Sequence, residues 1–278
     1  MTAPIGLGVF VRTHRVRLTA TGSVLRTVHW SDVGREVPQG TLQEYVCDRL
    51  PLFYRDPEAV ANTLRDGYFI TAVKETLRRL PMAESFQESH FGEIVAALFA
   101  EDVLGLRRLY SKLTYLSTQN SNAYKMDLVL CDLSADPVEF VFAEVKSSMK
   151  DATHDGPPFH SASCYASIFA SLNDYGDEDR EFDLQAARDH LVNFSDTDRI
   201  RIRTALLPYP APRVRYAAFA VIDSATRDDD DMSVLATRVN SKNFEVDVIG
   251  VETLSAVVEE SWTFLSSLRE RLNRQSVE

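Results

Sequence analysis

Apolar and polar residues alternate in short runs over residues 7 to 30, with β-branched side chains on both sides of Thr21-Gly22-Ser23, a pattern that predicts a β-hairpin. Residues 41 to 80 change to helical periodicity in two stretches separated by Pro51. After Pro81 the pattern strengthens: a helix near Phe86 to Asp102, then strands near Leu109 to Ser117, Lys125 to Asp132 and Val138 to Ser148. Gly156-Pro157-Pro158 breaks the chain, and helical stretches follow at Ser161 to Leu172 and Glu181 to Thr204. Apolar strands at Arg213 to Asp223 and Phe244 to Val251 come next, then a helix whose last turns carry Arg269, Arg271 and Arg274, cations that suit the negative end of a helix dipole. No internal repeat or low-complexity tract appears. The order predicts an α/β fold: a core over residues 81–278 with a mixed central sheet flanked by helices, and an α+β accessory region over residues 1–80.

The chemistry concentrates in one predicted hairpin. Lys125-Met126-Asp127-Leu128-Val129-Leu130 leads through a turn at Ser134-Ala135-Asp136-Pro137 into Phe140-Val141-Phe142-Ala143-Glu144-Val145-Lys146. Strand side chains alternate, so Glu144 and Lys146 share a face. With a register symmetric about Ala135-Asp136, Asp127 lies opposite Glu144, and two carboxylates so placed repel unless a cation joins them. A divalent ion meets that need, because hard cations such as Mg²⁺ take two or three carboxylates and keep several waters. Such a centre suits phosphodiester hydrolysis, with Lys146 orienting the attacking water or stabilising charge on the phosphate. On the preceding helix, Phe91, Ile94, Val95, Leu98 and Phe99 form an apolar face, while Glu93 projects among Ala96, Ala97 and Ala100 and is the candidate third ligand. The bland alternative is that Glu144 and Lys146 are polar residues at a half-exposed strand end and Glu93 a surface helix glutamate.

Composition narrows the setting. Hydrophobic residues make up 45% and charged residues 26%, which excludes a disordered chain. Cys47, Cys131 and Cys164 form no C-x-x-C pair, so neither a disulfide framework nor a zinc site is indicated, and a reducing cytoplasm is the expected compartment. His154, His160 and Cys164 lack a fourth ligand at zinc spacing. No apolar run is long enough to span a bilayer. The net charge of -11 argues against a free-standing nonspecific DNA binder, and most of the excess acid lies after residue 150, around Asp174 to Asp183 and Asp228 to Asp231. Residues 1 to 31 contain no acid, and Arg12, His14, Arg15, Arg17, Arg26 and His29 are candidates for one basic, nucleic-acid-facing surface. Lys112, Gln119 and Asn122, before the metal strand, are weaker candidates for phosphate contacts, and His160, Ser161 and Ser163 open the following helix, where Ser capping is the simpler role.

Helix Glu, then Asp, then Glu-x-Lys resembles the PD-(D/E)xK nuclease superfamily. More closely, Phe91-Gly92-Glu93-Ile94, residues 112–127 with Asn120-Ser121-Asn122, and Phe142-Ala143-Glu144-Val145-Lys146-Ser147-Ser148 are similar to the HamA family, the nuclease subunits of Hachiman anti-phage defence. The resemblance implies a restriction-endonuclease-like core and a Mg²⁺-dependent endodeoxyribonuclease, with Mn²⁺ as a substitute ion. It also implies control by a superfamily 2 DNA helicase, HamB-like, in a bacterial cytoplasm. It carries metal binding onto Glu93, Asp127 and Glu144, and catalysis onto Asp127, Glu144 and Lys146. Met126 stands where the superfamily name has Pro; proline supplies no ligand, so Asp127 is unaffected. Two other functions compete with this one: a stand-alone restriction or repair nuclease, which needs its own groove-reading element, and a non-catalytic subunit that binds and restrains a helicase.

Overall fold

The computed structural model describes residues 6–21, 24–55, 60, 62, 63, 65–115, 126–148, 160–226 and 243–274. The strands are β1 (Val11–Thr21), β2 (Val24–Val33), β3 (Glu36–Val37), β4 (Gly40–Thr41), β5 (Arg107–Ser111), β6 (Leu128–Asp132), β7 (Glu139–Ser148), β8 (Arg213–Asp223) and β9 (Phe244–Val251). The helices are α1 (Leu42–Arg49), α2 (Pro51–Tyr54), α3 (Phe69–Arg79), α4 (Glu84–Asp102), α5 (His160–Asp174), α6 (Asp177–Asp189), α7 (Asp196–Ala205) and α8 (Leu254–Arg274). Seven strands form one mixed sheet in the order β1-β2-β9-β8-β7-β6-β5. β7, β8, β9 and β2 are parallel to one another in sequence across the sheet, and β1, β6 and β5 run antiparallel to their neighbours.

Each face of the sheet is covered. Val141, Ala143, Val145, Phe219, Val221 and Ile249 pack with α1, α4 and α8, whereas Phe140, Phe142, Ala218, Ala220, Val246 and Val248 pack with α5, α6 and α7. The alternation of these positions along β7, β8 and β9 is the period of two expected of strands buried on both sides. Residues on both sides of position 80 share this architecture: β2 is hydrogen-bonded to β9, and Leu42, Tyr45, Val46 and Phe53 enter the same core as α4.

Several elements differ from the periodicity-based expectation. The strand expected over 109–117 is Arg107–Ser111, after which the chain tightens into a 3-10 turn at Lys112–Tyr115, held by Leu113 N donating to Ser111 Oγ and by Thr114 Oγ1 donating to the Phe53 carbonyl. The single helix expected over 181–204 is two, α6 and α7, because Ser195 caps a new start by accepting from Asp198 N. The turn at residues 22–23 and the 156–158 breaker lie outside the described residues.

Helix α4 is buried on every side from Phe91 to Ala100, so its position follows from packing. It comes so close to β7 at Gly92 that a Cβ there would stand 2.5 Å from Ser147 Cβ. That contact, together with Ser147 Oγ donating to the Glu88 carbonyl at 3.3 Å, locks the helix to the strand beside Lys146. Gly92→Ala gains about 1 kcal/mol of helix propensity but overpacks the contact by an expected 1–3 kcal/mol. Net destabilisation of about 1 kcal/mol is therefore expected in urea unfolding, and Ser147→Gly in the same chain should recover most of it.

Candidate metal centre

Strand β6 pairs with β7 from Leu128↔Ala143 to Asp132↔Glu139, a register centred on Ala135-Asp136. Extended by one residue, it sets Asp127 opposite Glu144, as the sequence predicts. β7 continues to Ser148 while β6 begins only at Leu128, so residues 144–148 of β7 have no β6 partner. The first amide beyond the ladder, Val145 N, donates instead to Asp127 Oδ2 at 2.9 Å. A side-chain carboxylate thus completes the backbone bonding of the strand and is fixed by it.

Glu144 and Lys146 lie on the α5 face of β7, and Lys146 Nζ donates to Glu144 Oε1 at 2.5 Å. Glu93 comes from α4, on the opposite face of the sheet, and its charge is felt by Asp127, Glu144, Lys112 and Lys146. The structure therefore brings all four sequence-predicted residues into one electrostatic centre. The carboxylates are only 5–6% exposed, and Glu93 Oε2 is buried with no hydrogen-bond partner among the described residues. Hard oxygens in this number, one of them lacking a donor, match the ligand chemistry of a small divalent cation. Among the described residues, no three His, Cys, Asp or Glu side chains are already gathered into a metal cage; Asp127 is turned onto Lys112 and Glu144 onto Lys146.

Burial and the nearby Asp127 charge push Glu93 well above the usual carboxylate range and raise Glu144 to about 6. Burial lowers the pKa of Lys146, but Glu144 and Asp127 outweigh it, so the ammonium is held above its ordinary value. The two partners of one ion pair thus shift in the same direction: Lys146 gains from the carboxylates around it, while for Glu144 burial and Asp127 outweigh what Lys146 gives back. Behind Glu93, Tyr54 Oη and His90 Nδ1 are 2.8 Å apart. Burial and the Lys112 charge bring His90 down to about 4, leaving a neutral imidazole that shares a hydrogen bond with the tyrosine hydroxyl.

Lys112, which sequence reasoning ranked below the four, belongs to the centre: its Nζ is 3.4 Å from Asp127 Oδ1. Ser171 of α5, which sequence reasoning did not identify, hydrogen-bonds Glu144. Its only signal is a polar residue on the otherwise apolar inner side of α5. Gln119, Asn122 and His154 lie outside the described residues, as do the side chains of His160, Ser161 and Ser163. Cys164 is buried, its thiol pushed up to about 12. Of the basic candidates in the hairpin, the side chains of Arg17 and Arg26 lie outside the described residues, and the other four do not share one surface. Arg12 pairs with Glu252 at 2.8 Å, His14 stacks on His29 with centroids 5.7 Å apart, and strand alternation puts Arg15 on the other face.

The raised Glu144 pKa means the folded chain holds that proton more tightly than the unfolded chain, so its stabilising effect is present below pH 4.5 and disappears as pH rises through about 6. In EDTA, Glu144→Gln is expected to match the wild type near pH 4 and to exceed it by about 1–2 kcal/mol at pH 7.5. Urea unfolding at the two pH values measures the difference.

No helix among the described residues is long and apolar enough to cross a membrane. No curated protein matches the chain. The HamA family model matches residues 11–261, from the first strand of the hairpin through both flanks of the carboxylate centre into the C-terminal helix. With nearly the whole described fold inside that match, the chain belongs to the HamA family, components of Hachiman anti-phage defence.

Proposed function

We propose that this chain is a Mg²⁺-dependent endodeoxyribonuclease, with Mn²⁺ able to substitute, in which Glu93, Asp127 and Glu144 hold the ion and Asp127, Glu144 and Lys146 act on the scissile phosphodiester. The observation that carries this reading is that three buried carboxylates and a Glu-x-Lys lysine feel one another's charge where β7 outruns β6, with one Glu93 oxygen lacking a hydrogen-bond partner among the described residues. The bound ion supplies Lewis acidity toward the phosphate and a bound water of lowered pKa.

The chain's own groups set the geometry. Asp127 is held by the Val145 amide. Glu144, with its pKa near 6, is ionised at neutral pH and can accept a proton from water. Lys146 stays an ammonium, because its pKa is raised; it acts by orienting water and stabilising charge on phosphate oxygens, not as a base.

As a member of its family, the chain is proposed to be the nuclease effector of the defence system, controlled by a HamB-like superfamily 2 DNA helicase. The net charge of -11 supports dependence on a partner, since a protein with weak intrinsic attraction for phosphate gains DNA affinity from the protein that delivers it.

Cleavage of plasmid and linear DNA by the wild type, Glu144→Ala and Lys146→Ala, each with Mg²⁺ or EDTA and with or without the helicase and ATP, tests the proposal. Cutting is expected only with Mg²⁺, chiefly with the helicase present, and to fall at least about 100-fold in either variant. Equal cutting by the variants would remove these residues from the chemistry. Sequence-dependent cutting without helicase would make the chain a stand-alone nuclease, and helicase binding without cutting under any condition would make it a restraining subunit.

A further inference from the structure

A second lysine is aimed into the centre by an irregularity of the sheet. β5 pairs with β6 as Arg107↔Cys131 and Arg108↔Leu130, then as Tyr110↔Val129 and Ser111↔Leu128. The register shifts by one residue between Arg108 and Tyr110, so Lys112, rather than Ser111, comes opposite Asp127. Bulges commonly re-aim a side chain in this way next to functional sites. Lys112 N donates to the Asp127 carbonyl at 2.9 Å, and its Nζ lies 3.4 Å from Oδ1 of the same residue. Lys112 thus meets Asp127 twice, through its backbone and through the tip of its side chain.

The two oxygens of Asp127 are thereby divided. Oδ2 serves the Val145 amide, and Oδ1 faces Lys112. Lys112 is not part of Glu-x-Lys, and its ammonium also acts on Glu93 and Glu144. A Mg²⁺ ion bound about 2.1 Å from Oδ1 would lie within about 5.5 Å of an ammonium left in its present place, a separation at which like charges repel strongly in a buried setting.

We propose that Lys112 is a positioning residue that competes with the divalent cation for Asp127 Oδ1, so that the ion binds only by displacing its ammonium. This rests on the metal-centre reading above. Lys112 holds the carboxylates together against their mutual repulsion and sets how much divalent cation is needed to load the centre. Lys146, by contrast, sits on Glu144 and is the lysine assigned to the phosphate.

The test is equilibrium binding of Mn²⁺ to the full chain, read from the electron paramagnetic resonance signal of free Mn²⁺, with no substrate present. Lys112→Gln is expected to bind Mn²⁺ about tenfold more tightly than the wild type, and Lys112→Arg, which keeps the charge, to stay within about twofold of it. A lysine with a purely structural role would leave affinity unchanged or weaken it on removal. Unchanged or weaker binding in Lys112→Gln, while Asp127→Asn still abolishes binding, overturns the competition and leaves the metal centre standing. Binding that is unaffected by both Asp127→Asn and Glu144→Gln overturns the metal centre and the competition together. Should Lys112→Gln not fold, the wild type supplies the answer through its reductively ¹³C-methylated lysines. The Lys112 resonance, assigned by its loss in Lys112→Arg, is expected to shift as Mg²⁺ is added, and a resonance that stays in place through saturation overturns the proposal.

Discussion

β6 stops at Leu128 and β7 runs on to Ser148, and the Val145 amide left beyond the ladder is taken by the Asp127 carboxylate. Everything else in the centre is arranged around this substitution of a side chain for a strand. It opens a notch at the edge of β7, into which Glu144 and Lys146 project from one face and Glu93 arrives from the helix on the other. It also pins one oxygen of Asp127, so that the remaining oxygen is presented in a fixed direction. Helix α4 reaches this notch because Gly92 lets its backbone ride directly on Ser147.

The centre is held at a cost. Three carboxylates are buried against two ammoniums, and the pKa values of Glu93 and Glu144 are raised because neither burial nor Asp127 favours their charge. Hydrophobic packing on both sides supplies the stability that tolerates this, from Phe91 and Ile94 above the sheet to Phe142 and Tyr165 below it. Perturbed carboxylates are not confined to this place, since burial also raises Asp247 on β9 to about 7, but only here do three buried carboxylates and two ammoniums feel one another's charge among the described residues.

Much of this was readable from the chain. The turn at Ala135-Asp136 fixes the register by symmetry, and strand alternation then couples Asp127 to Glu144 and Glu144 to Lys146. Glu93 was legible as a lone acid among small residues, although the helix is buried all round rather than amphipathic. Lys112 was not equally legible, because its direction depends on a one-residue bulge in β5 that alternation cannot reveal. The break between α6 and α7 was written locally, in the Ser195-x-x-Asp198 cap, but lay within a stretch whose apolar spacing reads as continuous. Arg15 stands apart from His14 and His29 because grouping in sequence ignores the alternation that separates side chains in space.

The parallel pairing of β2 with β9 joins residues 28–33 to residues 246–251, whereas β5, β6 and β7 are antiparallel neighbours in sequence as well as in space. Local pairings close small loops and form early; a pairing between distant segments must await both and closes a large loop late. On a ribosome, the half of the sheet bearing the carboxylates can therefore assemble while the hairpin still presents an unpaired edge, and only the emergence of β9 lets the two halves become one sheet. The order of synthesis makes the seam between β2 and β9 the last in the sheet to be sealed.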